Sequence, residues 1–175
     1  MTPDPLALDF DRLETGASIK TRGRTITEAD LVSFSALTGD WHPQHADASW
    51  AAESPFGERI AHGMLVLSYA IGLLPIDPER VTALRGLRSV VFKRPVPIGA
   101  TITAEAEIAA LRPLDPGHGL VELLLRVRDA DGKLVMRATI DALWRRERRP
   151  ESVRAPAANG REPELSPVST DGVLI

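Results

Sequence analysis

The sequence predicts an α+β domain in which a curved antiparallel sheet wraps around one central buried helix. Three observations lead there. The run His62–Leu74 (HGMLVLSYAIGLL) is apolar almost all round, the pattern of a helix buried on every side. Four strand-like segments follow it, separated by turn signals. The last three are joined by loops of hairpin length, which makes them antiparallel neighbours. At 175 residues, with 43% hydrophobic and 26% charged, the chain has the size and composition for one such core.

The elements follow in order. Residues 1–9 form an N-terminal lead, and the start Met1–Asp11 is acidic with two prolines, unlike a signal peptide. Ile19–Ile26 alternates weakly and suggests an opening strand. Thr27 stands as a helix N-cap with Asp30 in the capping-box position. The helix it starts, Glu28–Thr38, carries Leu31, Phe34, Ser35 and Leu37 as a mostly apolar stripe, and Gly39 ends it. The next segment is broken by Pro43 and is expected to be non-helical, after which Asp47 caps a short helix through Trp50 and Ala52.

Pro75 and Pro78 terminate the buried helix. The strands are expected over Leu84–Pro95, Thr101–Leu111, Leu120–Asp129 and Leu134–Arg145, with turns at Pro97-Ile98-Gly99, Asp115-Pro116-Gly117 and Asp129–Gly132. The domain spans residues 10–146. Residues 147–175, with Pro150, Pro156, Pro163 and Pro167 and no aromatic residue, read as a flexible tail. A sheet wrapped on a single helix leaves one face open, and such sheets commonly pair with a second copy, so a homodimer or higher homo-oligomer is expected.

Composition excludes several classes. Cysteine is absent, which removes disulfide frameworks, thiolate metal sites and a cysteine nucleophile. No run approaches the ~20 apolar residues of a membrane span, and a cytoplasmic protein with no membrane partner is expected. The net charge of -3 argues against a nucleic-acid partner. Arg145, Arg146, Arg148 and Arg149 cluster around Glu147 and read as a solvated strand end, the alternative being a patch for a phosphate-bearing partner.

The chemistry is concentrated between Gly39 and Gly63, a stretch with three of the four histidines (His42, His45 and His62) beside Asp40 and Asp47. A carboxylate near an imidazole orients it and raises its basicity, which suits Asp40 and His45 for general acid–base work. The same residues are compatible with a turn-capping aspartate and a loop histidine. His42, His45 and Asp47 have a spacing open to a transition metal, but nothing supplies a second shell, and no metal site is expected. Gly63, at the start of the buried helix, offers a backbone N–H to an oxyanion on a thioester or ester carbonyl; tight helix entry also explains a glycine there.

Together these segments resemble a known family. Gly39–His45, followed by Phe56-Gly57-Glu58-Arg59-Ile60-Ala61-His62-Gly63-Met64-Leu65, resembles the MaoC-like dehydratases and (R)-specific enoyl-CoA hydratases of the hot-dog superfamily. That signature is Asp, any residue, Asn, Pro, any residue, His, with a further Asp two residues on; Asp40, Pro43, His45 and Asp47 match it, and His42 stands where the family has Asn. Ser89–Gly99 looks like the family's central strand and its exit. The resemblance covers roughly Phe10 to Trp144.

The resemblance implies one hot-dog unit that reversibly adds water across a trans-2-enoyl thioester, of coenzyme A or of an acyl-carrier protein, to give an (R)-3-hydroxyacyl thioester. Asp40 and His45 hold and deprotonate the water, and the Gly63 N–H stabilises the enolate-like oxygen. His42, His62, Leu65 and Tyr69 are expected on the substrate side, with Leu87 a further guess at the acyl tunnel. Lys93 and Arg94 are candidates for the coenzyme A phosphates, and Ser68 for a polar helper or a serine bonded to its own helix. No cofactor is implied, because coenzyme A arrives as part of the acyl-CoA substrate. A thioesterase on the same scaffold and a non-catalytic subunit of a heteromeric hydratase are the alternatives.

Overall fold

The computed structural model describes residues 5–146. Two short strands, β1 (Ser18–Lys20) and β2 (Arg24–Thr25), precede helix α1 (Glu28–Thr38). Two short helices follow, α2 (Pro43–Ala46) and α3 (Ala48–Ala52), then helix α4 (Gly63–Leu73). Strands β3 (Val81–Phe92), β4 (Thr101–Pro113), β5 (His118–Arg128) and β6 (Leu134–Arg145) complete the described residues, with β6 ending where the sequence places it. The expected tail, with Arg148 and Arg149, lies outside the described residues.

Strand order is β1-β4-β5-β6-β3, antiparallel throughout, with β2 also on β4. Burial alternates residue by residue along β4 and β5, so one face of the sheet packs inward and the other meets water. The inward side chains, among them Ile102, Ile108, Leu123, Leu125 and Trp144, enclose Leu65, Val66, Leu67 and Ala70 of α4.

Helix α4 is not buried on every side, as its sequence suggested. Met64, 53% exposed, and then Ser68 and Gly72 form an outward stripe at intervals of four residues, because the sheet of one chain covers only the opposite face. Ser68 bonds back to the Met64 carbonyl at 2.8 Å. Strand β3, which carries the expected central segment from Ser89 to Phe92, lies at the sheet edge. Its pairing with β6 shifts register three times, and Ser89 sits at one of those shifts with φ +51°.

The lead before residue 10 takes part in the packing. Leu6 is fully buried, the Leu8 carbonyl accepts from Trp144 Nε1 at 2.8 Å, and the Phe10 ring fills the space a side chain at Gly119 would need. The Arg cluster is partly committed: Arg146 pairs with Asp11 at 2.6 Å, and Arg145 lies 3.9 Å from Glu79. Among the described residues no helix is long and apolar enough to cross a membrane.

Candidate active site

Two segments converge on the first turn of α4. The first begins with the capping box of α1, where Thr27 Oγ1 accepts the Asp30 N–H and Asp30 Oδ2 accepts the Thr27 N–H. The helix ends at Gly39, whose φ of +78° lies in the left-handed region that glycine enters at no steric cost. Leu31 and Ser35 face inward, whereas Leu37 is 83% exposed; six residues beyond Leu31 it has turned about 240° away.

Past Gly39 the chain folds back through an Asx turn in which Asp40 Oδ1 accepts the His42 N–H at 3.2 Å. The following residues are helical, contrary to the sequence expectation. Pro43 occupies the first position of α2, where its fixed φ is favourable and its missing N–H costs nothing. His42 Nδ1 accepts the Gln44 N–H at 3.2 Å, a capping bond that an asparagine oxygen also makes. Asp47 caps α3 as expected, accepting from the Ser49 and Trp50 N–H groups at 2.9 and 3.0 Å.

The second segment is the extended chain leading into α4. Ile60 N–H donates to the Gln44 carbonyl at 3.3 Å, and Ala61 N–H to the Val96 carbonyl at 2.7 Å. The Ile60 carbonyl accepts from His45 Nδ1 at 2.7 Å. A carbonyl only accepts, so Nδ1 carries the proton and Nε2 keeps its lone pair. Burial pushes the His45 pKa below the usual histidine range; the Ile60 carbonyl and the Asp40 carboxylate oppose this, while His62 and His42 reinforce it. Burial thus favours the neutral ring, with the lone pair on Nε2.

His62 lies behind this histidine. It is 2% exposed, and its ring stacks on His45 with centroids 3.8 Å apart and planes 27° from parallel. Its Nε2 is 3.1 Å from the Asp40 carbonyl oxygen and 3.2 Å from Ser35 Oγ. A carboxylate oxygen of Asp40 and one ring nitrogen each of His45 and His62 lie within 4.8 Å of one another. The stack is a poor metal site, since ring lone pairs lie in plane and two nearly parallel planes cannot converge on one ion. The trio suggested by spacing is not assembled for a metal either, with Asp47 spent on α3 and His42 Nδ1 on α2.

His45 and Gly63 share a cleft of about 340 Å³, apolar through Phe56, Val66 and Phe92 and basic through Lys93 and Arg94. Arg94 also donates to the Leu134 carbonyl at 2.6 Å. Gly63 is the first residue of α4, so its N–H has no partner within the helix. A Cβ at this position would stand 2.8–2.9 Å from the Phe92 ring, so the missing side chain makes room for Phe92.

Other expected site residues lie elsewhere. Leu65 is in the core, and Tyr69 donates to Asp30 at 2.5 Å beneath the Arg24 guanidinium. Leu87 sits partly exposed on edge strand β3. His42 is exposed and meets Trp50 edge-on, with centroids 5.5 Å apart. None of these four lines the cleft. Ser35, the Ile60 carbonyl and Phe92 contribute without having been singled out; a serine within an otherwise apolar helix stripe was the one available signal.

A family model described as MaoC like domain matches residues 12–123, more than half of the chain. The chain belongs to the MaoC-like family. Its architecture, an antiparallel sheet curved around α4, is the hot-dog fold of the solved MaoC-like dehydratases. This MaoC-like domain is 35% identical over 125 residues to the (R)-specific enoyl-CoA hydratase of Aeromonas caviae, covering 71% of this chain and 90% of that one. Protein MaoC of Klebsiella aerogenes is 42% identical over 99 residues, 56% of this chain, and the chain matches only 30% of that protein's length. Among solved structures, the monoamine oxidase regulatory protein from Archaeoglobus fulgius is 38% identical with a TM-score of 0.77, covering 80% of this chain and 95% of that one.

Proposed function

We propose that this MaoC-like domain catalyses the reversible hydration of trans-2-enoyl-CoA thioesters to (R)-3-hydroxyacyl thioesters. The observation that carries the reading is the gap between Asp40 and His45. Two hydrogen bonds of ~2.8 Å meeting at a tetrahedral oxygen span about 4.6 Å. A carboxylate oxygen of Asp40 and a ring nitrogen of His45 lie within 4.8 Å of each other, close enough for one water to bridge them. The hydratase activity named for the Aeromonas caviae relative agrees with this chemistry.

In the forward direction His45 Nε2 takes one proton of the water while the Asp40 carboxylate accepts its other O–H. The hydroxyl adds to the β-carbon, and the electron pair of the double bond moves toward the thioester oxygen, which faces the Gly63 N–H at the positive end of α4. The proton then passes from His45 to the α-carbon, so one water is added and nothing else is consumed. This chemistry calls for no cofactor beyond the coenzyme A of the substrate.

Loss of enoyl absorbance with crotonyl-CoA tests the reading. The wild-type chain is expected to form 3-hydroxybutyryl-CoA, and Asp40→Asn, which keeps an oxygen for the His42 N–H, to lose about 10²- to 10⁴-fold in kcat. Release of free coenzyme A without hydroxyacyl product would indicate a thioesterase, and no turnover of any enoyl-CoA a non-catalytic subunit.

The assembly is proposed to be a homodimer formed through edge strand β3 and the outward stripe of α4. Two copies joined there place β3 at the centre of a continuous sheet and cover Met64, Leu84 and Leu87, all partly or largely exposed in one chain. Light scattering is expected to give the mass of two chains, and a monomer mass at micromolar concentration rejects this assembly.

A further inference from the structure

We infer that His62 and Ser35 form a buried positioning unit that fixes the Asp40 turn and the His45 ring relative to the start of α4. The inference rests on the hydratase reading. The Asp40 carbonyl can only accept, so His62 Nε2 carries the hydrogen, which is shared between that carbonyl and Ser35 Oγ. One N–H thereby ties the residue bearing the carboxylate to the interior of α1. The same ring is the floor on which His45 stacks. Both proton-handling groups are thus referenced to one rigid side chain, one residue before Gly63.

Helix capping does not account for a histidine here. His62 occupies the N-cap of α4, yet its side chain makes no cap hydrogen bond. Its Nδ1 is buried with no hydrogen-bond partner among the described residues. The orphaned Nδ1 costs stability; an apolar ring of similar size beside Phe34 avoids that cost but leaves the Asp40 carbonyl and Ser35 Oγ without this donor. What phenylalanine cannot do is donate to the Asp40 carbonyl. That donation is the property the position supplies.

The test compares His62→Phe, His62→Gln and Ser35→Ala with wild type in crotonyl-CoA hydration, alongside thermal melting and ¹⁵N-histidine NMR of the full chain. His62→Phe keeps the stack and loses the N–H. It is expected to lower kcat about 10- to 100-fold through misplacement of the dyad, with only a small change in melting temperature because the lost donor and the relieved Nδ1 offset each other. The accompanying change in KM should stay within about threefold. His62→Gln restores an N–H donor and should regain about tenfold of that loss, and Ser35→Ala should lose less than His62→Phe.

In the wild-type spectrum His62 should show the Nε2–H tautomer and His45 the Nδ1–H tautomer. Equal kcat for wild type and His62→Phe overturns the inference, as does Gln being no better than Phe. An Nδ1–H tautomer at His62 also overturns it, whatever the activity. If wild type hydrates no enoyl-CoA, the hydratase reading falls. The tautomers, together with the His45 resonances in His62→Phe, still decide the positioning contacts: a shifted His45 signal supports them and an unmoved one rejects them.

Discussion

Replacing His45 with glutamine is expected to lower the hydration rate about 10²- to 10⁴-fold, the usual contribution of a positioned general base. Glutamine retains an N–H that can reach the Ile60 carbonyl, so the segment entering α4 stays in place; what is lost is the lone pair at Nε2. The fall should appear in kcat with KM nearly unchanged, and a loss confined to KM would remove His45 from the chemistry. Wild-type pH dependence follows from the direction of the His45 shift. Burial disfavours the charged ring, so the neutral, reactive form persists below the ordinary histidine pKa of about 6.5. The rate should therefore hold as pH falls to about 6.5 and decline only at lower pH. A limb at or above that value contradicts the buried, neutral base. The stability sign agrees: the folded chain binds this proton less readily than the unfolded chain, so His45 makes the fold less stable as pH falls below its unfolded pKa.

The largest expected loss of stability lies at Trp144. This side chain is 0% exposed, fills the core from β6, and donates Nε1–H to the Leu8 carbonyl across 136 positions of sequence. Trp144→Ala removes an indole from a close-packed interior and strands a backbone carbonyl, at a cost of about 3–5 kcal/mol. Against a typical total of about 5–15 kcal/mol, that is enough to put the variant close to unfolding at 37 °C. Trp144→Phe keeps much of the volume and loses the hydrogen bond, so about 1 kcal/mol plus a packing term is expected. Urea unfolding followed by circular dichroism separates the two, and equal midpoints for Ala and wild type would show that the N-terminal segment does not depend on this contact.

Strands β4, β5 and β6 were legible because each has one face inward and one in water, which writes an alternating pattern into the sequence. Strand β3 was placed three residues late at both ends. At the sheet edge, with repeated register shifts, its burial loses the period of two. The four-residue helix α2 was missed because one turn carries no periodicity, and Pro43 reads as a breaker unless its first-turn position is known. Asp40, His45 and Gly63 stand out as candidates because they fall in one continuous stretch that resembles a family signature. Ser35, the Ile60 carbonyl and Phe92 do not, since their part in the site exists only once α1, α4 and β3 are packed. The Leu65 and Tyr69 expectations failed to reach the cleft for a related reason: adjacency to a signature on a helix does not decide which face a side chain takes, and Tyr69 turns toward Asp30.

The placement of β6 between β5 and β3 sets an order of events during synthesis. The strand made last is an interior strand of the sheet, and β3, made four elements after α1, has no partner until β6 emerges. The meander β4-β5-β6 can zip locally, but β3 stays unpaired and the Leu8 carbonyl lacks its Trp144 donor until β6 has left the ribosome. A nascent chain stalled before residue 134 therefore carries an apolar helix and an unpaired β3 edge. Such truncated chains are candidates for chaperone capture.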